Sequence, residues 1–141
     1  MKKILSLLAV SLFVFSCTKK TNDNEIVIGS YSSNTGATAT FGTYQLRGIE
    51  MAVEEINAKG GINGKKIKHI NYDNKSDSDE TLAVVNRLIS QDKVVAIIGE
   101  ATSGRSKIGA SVAQQHKIPM LSSSATNPDV TKVGNYIFRA C

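Results

Sequence analysis

A chain of 141 residues has room for one domain with an apolar core of its own, so the fold need not depend on disulfide or metal staples. Seventeen Lys and Arg against twelve Asp and Glu give a net charge of +5, and setting aside Lys2 and Lys3 leaves fifteen against twelve, a mild +3. Lys59, Lys65, Lys66, Lys68, Lys75, Lys93 and Lys107 are scattered and not interleaved with aromatics, which argues for a solvated surface and against a nucleic-acid face.

The chain opens MKKILSLLAVSLFVFSC, two lysines ahead of an apolar run and then a small residue, the pattern of a secretory leader over residues 1–16. Its apolar run of about 12 residues falls short of the ~20 that a spanning helix needs. Ser16 before Cys17 resembles the lipobox of bacterial lipoproteins, in which cleavage frees the cysteine to carry a diacylglyceryl group; Phe15 stands where that pattern has a small residue. The alternative is an ordinary cysteine in a plain exported protein. Cys141 is the only other cysteine, so no internal disulfide is expected. TKKTNDN is wholly polar, and residues 17–24 read as a modified cysteine followed by a flexible tether.

The folded part is expected over residues 25–141. EIVIGSYS (25–32) predicts a strand. Leu46, Ile49, Val53 and Ile56 recur at helical spacing, which predicts a helix from Tyr44 that Gly60 and Gly61 stop. KKIKHINYD (65–73) predicts a second strand. DSDETLAVVNRLISQ predicts a helix with Asp77 or Ser78 as N-cap, Glu80 three beyond Asp77, and Leu82, Val85, Leu88 and Ile89 as its apolar face. VVAIIG (94–99) reads as a strand covered on both faces. SGRSKIGASVAQQ predicts a third helix, PMLS a fourth strand and YIFRAC (136–141) the start of a fifth. Strands alternating with helices over short connections predict an α/β fold, a parallel sheet with helices on both faces.

In such sheets ligands sit at the carboxyl ends of the strands. The segments leaving that edge, SYSSNTGATATFG, DNKSDSD, GEATSG and SSSATN, are rich in Ser, Thr, Gly and Asn, whereas AKGGINGKK, SQDK and QQHK at the other edge are ordinary charged turns. The stretch SSSATNPDV is the most telling. A plain turn needs only Asn127 and Pro128, while small hydroxyl residues let a ligand reach the backbone.

Catalytic and metal readings fare worse. GEATSGRS fits the phosphate-binding pattern G-x-x-x-x-G-K-[ST] except that Arg105 replaces the lysine, and no apolar strand ends in the aspartate that would hold magnesium. DNKSDSDE lacks the glycine and the distant glutamate of a calcium loop, Val84 falling where the glutamate would be. His69 and His116 are single and outside any ligand spacing, and read as surface histidines; there is no G-x-S-x-G elbow. No metal site, cofactor or catalytic residue is therefore expected. Ser103 and Thr126 read either as helix caps or as ligand contacts. A ligand carboxylate would take N–H groups and the Ser103 hydroxyl at a helix N-terminus, and an ammonium would take the Ser124 carbonyl and the Thr126 hydroxyl, which together describe an amino-acid backbone.

RGIEMAVEEINAKGGINGKKI, YDNKSD, GEATSG and IPMLSSSATNP, in this order and spacing, resemble the N-terminal lobe of the leucine/isoleucine/valine-binding family, the type I periplasmic solute-binding proteins of ABC transporters. The resemblance covers Glu25 to Cys141. It implies a carboxylate-binding serine at Ser103, a segment meeting the amino-acid backbone at Ser124, Ala125 and Thr126, and an aromatic closing over the ligand side chain at Phe41, where the family often has tyrosine. It further implies a non-enzymatic protein that captures an amino acid for an ABC permease, and the lipobox-like Ser16–Cys17 adds the expectation of a lipid anchor in the membrane. A second lobe would follow and supply an acid for the ammonium, and the chain would then return to complete the first. Sensory proteins built on the same clamp are the alternative, and the ligand's identity stays open.

Overall fold

The computed structural model describes residues 24–141. The expected leader (1–16) and Cys17 lie outside the described residues, as does the expected tether except for Asn24. The element order is β1 (Glu25–Ser32), α1 (Ala39–Ala58), β2 (Lys66–Asp73), α2 (Ser78–Ser90), β3 (Ala96–Gly99), α3 (Ser103–Gln115), β4 (Met120–Ser122), a 3-10 helix (Pro128–Val133) and β5 (Ile137–Arg139). Every neighbouring pair of strands is parallel, in the order β2-β1-β3-β4-β5. The expected parallel α/β sheet is thus present.

Strand alternation sends one set of side chains to each face. Tyr31, Ile97, Met120 and Ile137 face α2 and α3 and form the main core with Val85, Leu88, Ala110 and Ala113. The packing is tight enough to demand glycine at one helix position: a Cβ on Gly109 would stand 2.1 Å from the Tyr31 hydroxyl. Burial first, and then the nearby Glu100 carboxylate, push the Tyr31 phenol well above its usual pKa, so it stays a neutral hydrogen-bond donor. On the opposite face Ile49, Val53 and Ile56 of α1 line a groove with Ile28, Ile67 and Ile98.

Four expectations need correction. Helix α1 starts at Ala39, not Tyr44. Leu82 is 46% exposed, because the buried stripe of α2 is Thr81, Val84, Val85, Leu88 and Ile89, and Leu82 falls at its margin at 100° per residue. β3 is fully covered on one face and only partly on the other: Ile97 and Gly99 are buried, while Ala96 and Ile98, on the α1 face, are half-buried. His69 is half-buried, with Nε2 2.7 Å from the Ser30 hydroxyl, and desolvation lowers its pKa, so the ring is held neutral; His116 is exposed as expected. No helix among the described residues is long and apolar enough to cross a membrane.

Candidate functional site at the carboxyl edge of the sheet

The chain steps from β1 outward to β2 and then crosses back to β3 on the other side of β1. Loops leaving β1 and β3 therefore part toward opposite faces and leave a crevice at the carboxyl ends of these strands. The loops that border it are 33–38, 74–77, 100–102 and 123–127.

Helices α2 and α3 begin very differently there. The N-terminus of α2 is filled: the Asp77 side chain accepts from the Glu80 amide, and Asp79 and Glu80 sit in the first turn. Helix α3 has Thr102 as N-cap but no side-chain cap bond, and no acidic residue in its first turn. The Thr102 hydroxyl donates instead to Glu100 Oε2. An N-terminus with no side-chain cap and no acid in its first turn leaves its first-turn amides open to an anion.

Ser103, the first residue of α3, accepts at Oγ from the Asn127 amide at 3.1 Å. This joins α3 to the loop after β4, and leaves the serine's own proton free to be donated. The caps are thus Thr102 and Asn127, each one residue from the Ser103 and Thr126 that the sequence suggested; Asn127 caps the 3-10 helix by accepting from the Asp129 amide.

Of the other sequence-derived site residues, Ser124 and Thr126 stand exposed in that same loop. Ala125 is fully buried, its amide on Ser122 Oγ and its carbonyl accepting from Arg139 Nη1 and Cys141 Sγ. Arg139 Nη1 also donates to the Thr126 carbonyl at 2.9 Å, so the loop is pinned from β5. Phe41 lies in the first turn of α1, 67% exposed. Its neighbour Gly42 seats this turn against the loop after β1, since a Cβ there would stand 2.0 Å from the Ser33 carbonyl oxygen. The Asn127 amide ties Ser103 to the loop that carries residues 124–126, while Phe41 is linked to that loop only by way of the segment that precedes α1.

Below these residues lies a polar network that the sequence reading missed. Glu100 is completely buried, and Arg105 lies at 3.2 Å with its side chain 15% exposed. The guanidinium continues to the Ser76 carbonyl and the Thr38 hydroxyl. Arg105 and Ser106, which mimic the end of a phosphate-binding loop in sequence, are thereby engaged inside the protein: Ser106 is buried and donates to the Glu100 carbonyl at 2.7 Å. A signal was present in an acid placed directly after the apolar AIIG with an arginine five residues on. Asp73 closes the β2 end of the crevice. Burial alone would raise its pKa, but the Thr35 hydroxyl and the amides of Lys75, Thr35 and Asn34 outweigh this and hold it below the usual value. Among the described residues no group of three or more His, Cys, Asp or Glu is placed to hold a metal.

Comparison with known proteins places this arrangement. The sequence profile of the family described as Periplasmic binding protein matches residues 25–140. An amino acid binding protein of Pseudomonas aeruginosa is 40% identical over 118 residues, 83% of this chain and 32% of that protein. The Leu/Ile/Val-binding protein of Escherichia coli is 33% identical over 108 residues, 77% of this chain and 28% of that one. Among solved structures, the branched-chain amino acid transporter substrate binding protein LivJ from Streptococcus pneumoniae, in complex with isoleucine, superposes with a TM-score of 0.79 at 40% identity, covering 82% of this chain and 33% of that chain. The leucine binding protein LivK from Thermotoga maritima gives 0.77 at 33% identity, covering 82% and 32%. The chain therefore spans about a third of the length of the relatives it matches. With its parallel sheet, its crevice at the carboxyl edge and a family match over nearly all described residues, the chain belongs to the periplasmic binding protein family.

Proposed function

We propose that this chain is the N-terminal lobe of an exported, non-enzymatic solute-binding protein that captures an amino acid, of the branched-chain type, and presents it to an ABC permease. The observation that carries the reading is the uncapped start of α3 with Ser103 bonded to the Asn127 amide, which sets an anion-binding helix end beside a loop of exposed hydroxyls and carbonyls. In this reading the ligand carboxylate accepts from the first-turn amides of α3 and from Ser103. Its ammonium donates to the Ser124 carbonyl and the Thr126 hydroxyl, with Ala125 fixing the loop from below. Phe41 covers the ligand side chain. A second lobe closes over the ligand by hinge motion, and the closed form engages the permease. The names of the relatives, amino acid binding protein and Leu/Ile/Val-binding protein, support the same solute class.

Calorimetry on the full open reading frame with a panel of amino acids tests this. A branched-chain amino acid is expected to bind with a Kd of about micromolar, some 8 kcal/mol. A panel in which no amino acid binds would remove the reading. Lipid anchoring through Cys17 belongs to the same proposal: Cys17→Ala should move the protein from the membrane fraction to the soluble exported fraction, and unchanged membrane association would count against it.

A further inference from the structure

We propose that Glu100 and Arg105 are positioning residues for the amino-acid site, an inference that rests on the reading above. The pair locks the loops after β1, β2 and β3 together, and Glu100 holds the Thr102 hydroxyl away from its own helix so that the first-turn amides of α3 stay open for the ligand carboxylate.

Glu100 bonds the loop after β1 directly and is linked to the loops after β2 and β4 through one intervening side chain each. Its Oε1 lies 2.9 Å from the Ser33 hydroxyl of the first loop, which is itself 2.8 Å from Asn74 Oδ1 of the second. Its Oε2 accepts from the Thr102 amide at 3.0 Å, from the Thr102 hydroxyl, and from Arg105 Nε at 3.2 Å. Its main-chain carbonyl accepts from Ser106 Oγ and, at 2.9 Å, from Ser122 Oγ, which in turn accepts from the Ala125 amide. Arg105 completes the lock from the other side, with Nη1 3.2 Å from the Ser76 carbonyl and Nη2 2.6 Å from the Thr38 hydroxyl. Only a planar guanidinium spans three partners in this way; a lysine ammonium carries the charge but not the fork. Ser76 is held with φ at +60° and Lys75 beside it at +55°, a conformation that non-glycine residues keep only where surrounding contacts impose it.

The most specific consequence concerns Thr102. Threonine at an N-cap ordinarily accepts from an amide in the first turn. Here the cap bond is absent and the hydroxyl is spent on Glu100. Were Glu100 uncharged, the threonine would be released to cap α3 and would occupy an amide meant for the ligand.

The test uses the full-length protein and L-leucine as probe, after the wild type has been shown to bind it. Glu100→Gln is expected to raise the Kd about tenfold, the effect of losing one charge-assisted set of hydrogen bonds. Adding Thr102→Val to that variant removes the competing cap and should recover most of the loss, a rescue that simple loosening of the fold would not produce. Arg105→Lys keeps the charge beside Glu100 and drops the links to Ser76 and Thr38; it should melt within a few degrees of wild type yet bind several-fold more weakly. Lys132→Gln, which breaks an exposed pair with Asp129, is the control and should leave the Kd unchanged. Unchanged leucine affinity in Arg105→Lys overturns the proposal, also where Glu100→Gln fails to fold, and a double variant no better than Glu100→Gln overturns the role assigned to Thr102. A wild-type protein that binds no amino acid fails at the prior step, which identifies the site reading and not the lock as the error.

Discussion

In the proposed site Ser103 would do two jobs, and its geometry is compatible with both. The oxygen accepts from Asn127 at 3.1 Å while the hydroxyl proton remains available for a carboxylate. A hydrogen bond to a charged ligand group is worth roughly 1.5 to 3 kcal/mol, so Ser103→Ala or Thr126→Val in the full-length protein should weaken leucine binding by about ten- to a hundredfold without unfolding it. Calorimetry alongside a melting curve checks this, and unchanged affinity in both variants would sink the assignment. Asp73 supplies a second residue-scale outcome. Its folded pKa lies below its unfolded one, so its contribution to stability is present at neutral pH and is lost as pH falls through the folded value. Asp73→Asn should therefore lower the melting temperature at pH 7 while flattening the decline below about pH 4, the range in which an unperturbed aspartate titrates. Equal acid sensitivity in the two proteins would show that the cluster around Asp73 does not favour the charged form. The hydroxyl-rich loops were legible in the sequence because composition alone marks them. The Glu100–Arg105 lock left only a local trace, the acid after AIIG with an arginine five residues on, because its partners lie on the separate loops after β1, β2 and β3 and no spacing rule connects Ser33 or Thr38 to residue 105.

At the scale of elements, helices with local signals were legible and those shaped by tertiary contact were not. Helix α3 spans the predicted residues 103–115, and Asp77 caps α2 as the spacing to Glu80 implied. Helix α1 begins five residues early because nothing in ATFGT announces a helix. Thr38 makes no cap bond; its hydroxyl goes to Ser76 and Arg105, and Gly42 seats the first turn on the Ser33 carbonyl. The 3-10 helix was missed because Asn127–Pro128 already satisfied the signature of a turn. The two glycines of α1 then make opposite predictions. A Cβ on Gly42 would stand 2.0 Å from backbone, which cannot swing away, so Gly42→Ala should destabilise by about 1–3 kcal/mol and displace Phe41. A Cβ on Gly48 would meet nothing within 4 Å, and Gly48→Ala should stabilise by roughly 0.5–1 kcal/mol through helix propensity alone. Chemical denaturation of the pair decides it. Two effects of the same sign would show that the close approach at Gly42 is not rigid.

At the scale of the whole molecule, the sheet is covered unequally. Alternation and crossovers made its parallel order legible, but an unbroken apolar run such as VVAIIG could not reveal which of its faces is covered, since a strand reads the same whether one helix layer or two lie against it. Helices α2 and α3 close one face. On the other, α1 lies along β1 and β2, and the row Ile98, Leu121 and Phe138, paired across β3, β4 and β5, continues beyond it. Leu121 is 42% and Phe138 52% exposed, and Phe138 sits on an edge strand. Adjacent apolar side chains on an open sheet, next to an unpaired edge, favour association over solvation. Residues 24–141 expressed by themselves should therefore form dimers or larger species at about tens of micromolar, at a burial gain of roughly 25 cal/mol per Å² of apolar surface. Replacing both exposed side chains, by Leu121→Lys with Phe138→Lys, should yield a monomer whose helix content is unchanged, because neither residue belongs to the core packed by α2 and α3. Analytical ultracentrifugation with circular dichroism reads both outcomes. An unmodified segment that sediments as a monomer at those concentrations, with a cooperative melt, would mean that the open face is tolerated by water and that this chain needs nothing against it to stay apart.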